Sequence, residues 1–183
     1  MRIVVSGTHA SGKSTLISDF AARHPEFTVL PDPFELLDER WDSPSAALFA
    51  AQLRISAARL DPDESAEHLI AERGPIDFLA YLLALDDLMG SSSSRELLQR
   101  STAITREALQ HIDLLVVLPL TSMDGIVADA DEYVALRDAM NDVLVDLIED
   151  SDLVGEHAHV VEITGDRDQR LAALEALTTG PTG

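Results

Sequence analysis

Short apolar runs rich in β-branched residues alternate along this chain with longer stretches whose apolar positions return every three or four residues. The runs are Ile3-Val4-Val5, Phe27 to Leu30, Leu69-Ile70-Ala71, Leu114 to Leu118 and Val160 to Ile163, and each reads as a strand. Helical spacing predicts helices over Ser14 to Ala21, from Pro44 behind a Ser43 cap to about Leu60, and from Pro75 to about Met89. It predicts three more over Arg95 to about Gln110, Tyr133 to about Glu149 and Asp166 to about Leu177. Such alternation predicts an α/β domain with a largely parallel sheet. Leu114 to Leu118 is nearly all apolar, which predicts a strand covered on both faces. Phe49 and Leu53 are expected in the core, and the serine run 91–94 reads as a plain connection. With no repeat and no second domain in the pattern, a single domain over residues 1–183 is expected.

The first strand-to-helix junction carries chemistry. Gly7-Thr8-His9-Ala10-Ser11-Gly12-Lys13-Ser14 has the form G-x-x-x-x-G-K-[ST], and Lys13 is the only lysine in the chain. A strand that turns through glycines into a helix aims backbone N–H groups and the positive helix end at one point, where phosphate oxygens belong. Gly7 to Thr15 is therefore expected to bind the phosphates of ATP, with Lys13 reaching the β- and γ-phosphates and Ser14 ligating Mg2+. A guanine-reading N-K-x-D loop would need another lysine, and its absence points to adenine.

Composition narrows the setting. Thirty-three acidic residues against thirteen basic ones give a net charge of −20, which repels nucleic-acid backbones and anionic membranes, so no nucleic-acid and no membrane partner is expected. The chain has no cysteine, which excludes disulfides, thiolate nucleophiles and cysteine-ligated zinc and suits a cytoplasmic location. No apolar run approaches the length of a bilayer span, and the first residues read as a strand rather than a signal peptide. The histidines at 24, 68, 111, 157 and 159 lack metal-ligand spacing.

Ligands of open parallel sheets bind beyond the carboxyl edge, so the residues that follow each strand matter. Besides the phosphate loop these are Asp32 between Pro31 and Pro33, Glu72-Arg73, and Thr164-Gly165. Asp32 reads either as a general base for an acceptor hydroxyl or as a turn aspartate. Glu72 and Arg73 read as a magnesium or acceptor ligand beside a cation for the transferred phosphoryl group, or as an ion pair capping the next helix. Gln52 and Arg59 stand two helical turns apart on one face, as a ligand-facing pair or a surface polar stripe.

Gly7 to Thr15, Asp32-Pro33 with Trp41 downstream, Phe49, Gln52 and Arg59, then Glu72-Arg73-Gly74 with Asp77 and Tyr81, resemble the small P-loop nucleoside and deoxynucleoside kinases. They resemble equally the ribosylnicotinamide-kinase-type P-loop proteins. The resemblance implies a three-layer P-loop NTPase fold, a five-stranded parallel sheet flanked by helices with the first strand between the third and fourth. It implies that Asp32 is the general base, that Gln52 reads the base edge and that Arg59 lies near the sugar. Glu72-Arg73-Gly74 matches a Glu-Arg-Ser motif with glycine in place of serine, and Asp77 falls among the substrate residues. Val161 to Arg170 resembles the last strand and the adenine-side loop.

The segment matching the kinase lid, about residues 121–132, departs from that pattern, because Leu120 to Asp129 contains no arginine. Arg137 on the following helix is the substitute the sequence offers. These readings predict a Mg-ATP-dependent phosphotransferase with Lys13, Asp32 and Arg73 as catalytic groups and a small-molecule hydroxyl acceptor, foremost a nucleoside. The alternatives are a nucleotide-binding switch with slow hydrolysis, which the arginine-poor lid favours, and a nucleoside monophosphate kinase using Arg40, Arg54 and Arg59. The apolar helices over 76–89 and 97–109 suit core faces or, in a homodimer, a second copy of the chain.

Overall fold

The computed structural model describes residues 1–36, 44–90, 93–120 and 134–179. Its elements in chain order are β1 (Arg2–Ser6), α1 (Lys13–Arg23), β2 (Thr28–Leu30), a 3-10 turn (Pro33–Leu36), α2 (Ala46–Arg59), β3 (Leu69–Glu72) and α3 (Pro75–Met89). They continue with α4 (Arg95–Leu109), β4 (Leu114–Val117), α5 (Val134–Glu149), α6 (Ser151–Val154), β5 (His159–Glu162) and α7 (Arg167–Thr178). The expected lid over 121–132, with Trp41, Ser43 and Arg40, lies outside the described residues.

All pairings are parallel, in the order β2-β3-β1-β4-β5, so β1 lies between β3 and β4. This is the three-layer P-loop arrangement. Alternate residues of each central strand enter different cores, as the two-residue period of a strand requires. Val4, Leu69, Ala71, Leu115 and Val117 join the core under α2, α3, α4, α5 and α6, while Ile3, Val5, Ile70, Leu114 and Val116 join the one under α1 and α7. β3 and β4 are buried at every position, which is why their sequences are continuous apolar runs rather than alternating ones. β2 and β5 close the edges and keep exposed positions. Phe49 and Leu53 are fully buried.

Helix α3 is interior along most of its length, with Pro75 to Leu82 and Ala84 all buried, so its apolar surface belongs to the core. Helix α2 starts later than expected, and α4 starts at Arg95 as expected but behind a serine cap. Helix α2 begins at Ala46, because the extended Ser45 accepts the Leu48 N–H at 3.3 Å and leaves Pro44 outside the helix. Ser94, expected to be only a connection, caps α4 by accepting the Leu97 N–H at 3.2 Å. Among the described residues no helix is long and apolar enough to cross a membrane.

Candidate active site

Parallel strands put the carboxyl ends of β1, β3, β4 and β5 on one edge, and the phosphate loop forms there. Gly7 (φ 148), Ala10 (φ 59) and Gly12 (φ 91) have left-handed backbones. At Gly7 any side chain is excluded, since a Cβ would lie 2.7 Å from the Leu118 carbonyl oxygen and 2.8 Å from Ser11 Oγ. Gly12 caps α1 without a side-chain bond, so the first-turn N–H groups of α1 remain for a ligand. Lys13 is 3 % exposed and folds inward, donating from Nζ to the Thr8 carbonyl at 2.6 Å. Burial, helped by the nearby Arg73 cation and only partly offset by Asp77, Glu72 and Asp32, lowers its pKa from 10.5 to about 7.

Ser14 is exposed, and its hydroxyl donates to Glu72 Oε1 at 2.7 Å. A hydroxyl in the first turn of α1 beside a carboxylate at the end of β3 supplies hard oxygen donors that suit Mg2+ together with a phosphate.

Next to Glu72, Arg73 has a left-handed backbone (φ 64), a conformation that costs a non-glycine residue about 1–3 kcal/mol and persists only when its surroundings enforce it. They do: its N–H donates to the Val5 carbonyl at 3.1 Å, and its own carbonyl accepts the Ser56 hydroxyl at 3.3 Å. The guanidinium is buried. Nε donates to Asp32 Oδ2 at 2.7 Å and Nη1 to the Gly7 carbonyl at 3.0 Å, with the rings of Phe34 and Tyr81 over it at 5.3 and 5.5 Å. Burial opposes its charge, but Tyr81, Asp32 and Asp77 outweigh that, so its pKa stands above the ordinary arginine value. Arg73 therefore joins the second-strand loop, through Asp32, to the first glycine of the phosphate loop. The other oxygen of Asp32 accepts the Phe34 N–H at 3.0 Å. A carboxylate accepts about four hydrogen bonds, so these two leave room for a hydroxyl.

Asp77 is 0 % exposed. Its Oδ1 accepts the Gly7 N–H at 2.9 Å, and its Oδ2 accepts the Ser6 hydroxyl at 2.6 Å and the Gly74 N–H at 2.8 Å. Burial raises its pKa against the pull of Arg73 and of these hydrogen bonds. The structure thus gives Asp77 a different setting from the substrate position the resemblance implied: it locks the α3 start to the phosphate loop. The sequence signal for this was an acid three residues after a glycine cap, which has no side chain with which to satisfy the helix start.

Gly74 also has a spatial reason, since a Cβ there would lie 2.8 Å from Val4 Cγ1 in β1. Restoring the serine of the kinase motif with Gly74→Ser is expected to destabilise the fold by about 1–3 kcal/mol, read as an earlier urea midpoint. An unchanged midpoint would show that β1 yields at no cost.

Gln52 is buried on α2 with its Oε1 unpartnered, and among the described residues nothing hydrogen-bonds it to Asp32, Glu72 or Arg73. Arg59 donates to the Pro31 carbonyl at 2.8 Å, which brings it beside the Asp32 loop. Arg54 is exposed on α2.

A family model described as an AAA domain matches residues 2–170. The chain belongs to that AAA-domain family. No curated protein sequence matches it. Among solved structures, the AAA-domain chain is similar to deoxyadenosine kinase from M. mycoides with products dCMP and dCDP bound, at TM-score 0.72 and 13% identity over 99% of this chain and 100% of that one. It is similar to thymidylate kinase from Candida albicans at TM-score 0.60 and 18% identity, over 96% of this chain and 89% of that one. It also matches a NadR protein in complex with NR at TM-score 0.63 and 14% identity, covering 98% of this chain but 52% of that one. At such identities the likeness establishes the fold, a P-loop kinase-like α/β fold in each case.

Proposed function

We propose that this AAA-domain protein is a Mg-ATP-dependent phosphotransferase that moves the γ-phosphoryl group to a hydroxyl of a small molecule, most simply a nucleoside or a nucleoside-like compound. The observation that carries the reading is the juxtaposition at one sheet edge of the Lys13 loop, the Ser14–Glu72 oxygen pair at 2.7 Å and Asp32, which the Arg73 guanidinium links to that loop. Each part has a task. Gly7 to Thr15 cradles the triphosphate, and Lys13 turns from the Thr8 carbonyl to the β- and γ-phosphates. Ser14 and Glu72 would hold Mg2+, which neutralises phosphate charge when bound. Asp32, oriented by Arg73, takes the proton of the acceptor hydroxyl, and Arg73 adds positive charge behind the transferred group. Gln52 and Arg59 lie on the acceptor side, where the unpartnered Gln52 oxygen has capacity for a donor. A closing segment over about 121–132 would exclude water, in a protein of one domain working in the cytoplasm.

A neutral acceptor fits better than a monophosphate. Among the described residues the carboxylates of Asp32, Glu72 and Asp77 surround Lys13 and Arg73, while Arg59 already serves a backbone carbonyl and Arg54 faces solvent. A second reading, a nucleotide-dependent switch with slow hydrolysis, is favoured by the closed Asp32–Arg73 pair and the arginine-free 120–129 segment. A panel of nucleosides and other hydroxyl compounds, assayed by ADP release and product mass, separates the readings. Acceptor-stimulated ADP with a product heavier by one phosphoryl group is expected. Tight nucleotide binding with no acceptor response would favour the switch. Glu72→Gln is expected to raise the magnesium needed for half-maximal turnover by about 10- to 100-fold. An unaltered magnesium dependence would remove Glu72 from the metal.

A further inference from the structure

We propose that Arg170 is a positioning residue for nucleotide binding: from α7 it holds the phosphate loop in the shape that receives phosphate. The proposal rests on the reading of Gly7 to Thr15 as the nucleotide site. Arg170 lies in the first turn of α7, on a helix start fixed by reciprocal bonds between Asp166 and Gln169 at 2.9 and 3.0 Å. Its side chain is buried although charged. Nη1 donates to the Ser11 carbonyl at 2.7 Å, across 159 residues of sequence, and Nε donates to the Gly165 carbonyl at 2.8 Å. Gly165 is in the left-handed region (φ 103), which turns the chain from the end of β5 back toward the phosphate loop. One planar fork therefore joins two loops at the same sheet edge.

The Ser11 bond has a directional consequence. The Ser11 carbonyl and the Gly12 N–H belong to one trans, planar peptide unit, so they point in opposite directions. Drawing the carbonyl outward to Arg170 aims the Gly12 N–H to the opposite side, toward the interior of the loop. A cationic donor on that carbonyl also polarises the peptide and strengthens its N–H as a donor to phosphate. The fit is close: a Cβ on Gly12 would lie 3.1 Å from Nη1, so the guanidinium packs against the glycine that precedes Lys13. Without this strut the left-handed Gly12, at the junction of the loop with α1, could rotate its peptide, and the loop would have to be reordered each time phosphate binds. Arg170 thus acts on the ligand through the Ser11–Gly12 peptide rather than by touching it.

The test uses the full chain and two ligands with Mg2+ present, ATP and inorganic tripolyphosphate, with binding measured by calorimetry. Arg170→Lys keeps the charge without the fork, and Arg170→Gln keeps one donor without the charge. Both variants are expected to lose affinity for ATP and for tripolyphosphate by the same factor, about tenfold or more for a charged hydrogen bond. KM for ATP should rise by that factor with kcat retained. A loss confined to ATP would make Arg170 a contact for the nucleoside part and overturn the proposal. A lowered melting temperature with both affinities unchanged would reduce it to packing of α7, which also overturns it. Failure of the wild-type protein to bind either ligand would instead remove the nucleotide site itself.

Discussion

Lys13→Met is expected to lower the affinity for Mg-ATP by about 10²- to 10⁴-fold, two charge-assisted bonds of roughly 1.5–3 kcal/mol each being lost, while the fold persists. The fold should survive because Lys13 supports the loop at a cost. Its ammonium is buried, lies near Arg73 and has one short bond, to the Thr8 carbonyl. The pKa of about 7 in the folded chain against 10.5 in the open makes the cost pH-dependent. Between those values the unfolded chain holds one proton more than the folded one, so this group's contribution to stability rises with pH, by up to about 1.4 kcal/mol per unit. Below pH 7 both states are protonated and the penalty is complete. Wild type minus Lys13→Met should therefore show unfolding free energy that climbs from pH 7 toward 10.5 and is flat below 7. A flat difference throughout would mean that Lys13 remains charged in the folded chain. Undiminished ATP affinity would remove the loop as the nucleotide site.

Asp32→Asn is expected to lower kcat by about 10²- to 10⁴-fold, the usual worth of a general base, with the affinity for Mg-ATP retained. Asparagine keeps an oxygen for the Arg73 Nε and a similar volume, losing the negative charge and the Phe34 N–H bond, so it removes proton transfer while part of the support of Arg73 remains. Asp32→Ala removes both. It leaves the buried Arg73 cation without its 2.7 Å partner and should destabilise the fold by about 3–5 kcal/mol. If Asp32→Asn keeps full kcat while Asp32→Ala destabilises the protein, Asp32 is a turn residue that holds an arginine. In that case the base lies elsewhere or the protein is the slow switch.

The central strands were legible because burial on both faces forces continuous apolar runs, which Leu69 to Ala71 and Leu114 to Val117 display. The edge strands were legible in place but not in extent. β2 starts at Thr28 rather than Phe27, whose ring packs instead against Phe20 and His68, and β5 begins at His159 and stops before Ile163. The capping roles of Ser45 and Ser94 were not legible, because Ser43 and Ser45 flank Pro44 and Ser94 ends a run of four serines, and any of these can cap. Which one does depends on the backbone that reaches it.

In the site, the loop motif and the neighbouring Glu72 could be read directly, and the 2.7 Å contact between Ser14 and Glu72 follows once β1 and β3 are adjacent. The bond of Asp77 to Gly7 and the job of Arg170 could not be read that way, nor could the engagement of Asp32 with Arg73. Each depends on partners brought together by strand order: 70 residues separate Asp77 from Gly7, 41 separate Arg73 from Asp32, and 159 separate Arg170 from Ser11.

By itself the sequence determined the local chemistry: an alternating α/β pattern, and a glycine-rich turn with a solitary lysine at the start of a helix. Both are set by periodicity and by backbone freedom over a few residues, which need no distant partner. Tertiary structure alone decided which charged groups meet. Asp32 and Arg73 neutralise one another, Asp77 is spent on backbone and Ser6, and Arg170 reaches the phosphate loop, because burial forces polar groups to find partners wherever the sheet brings them within reach.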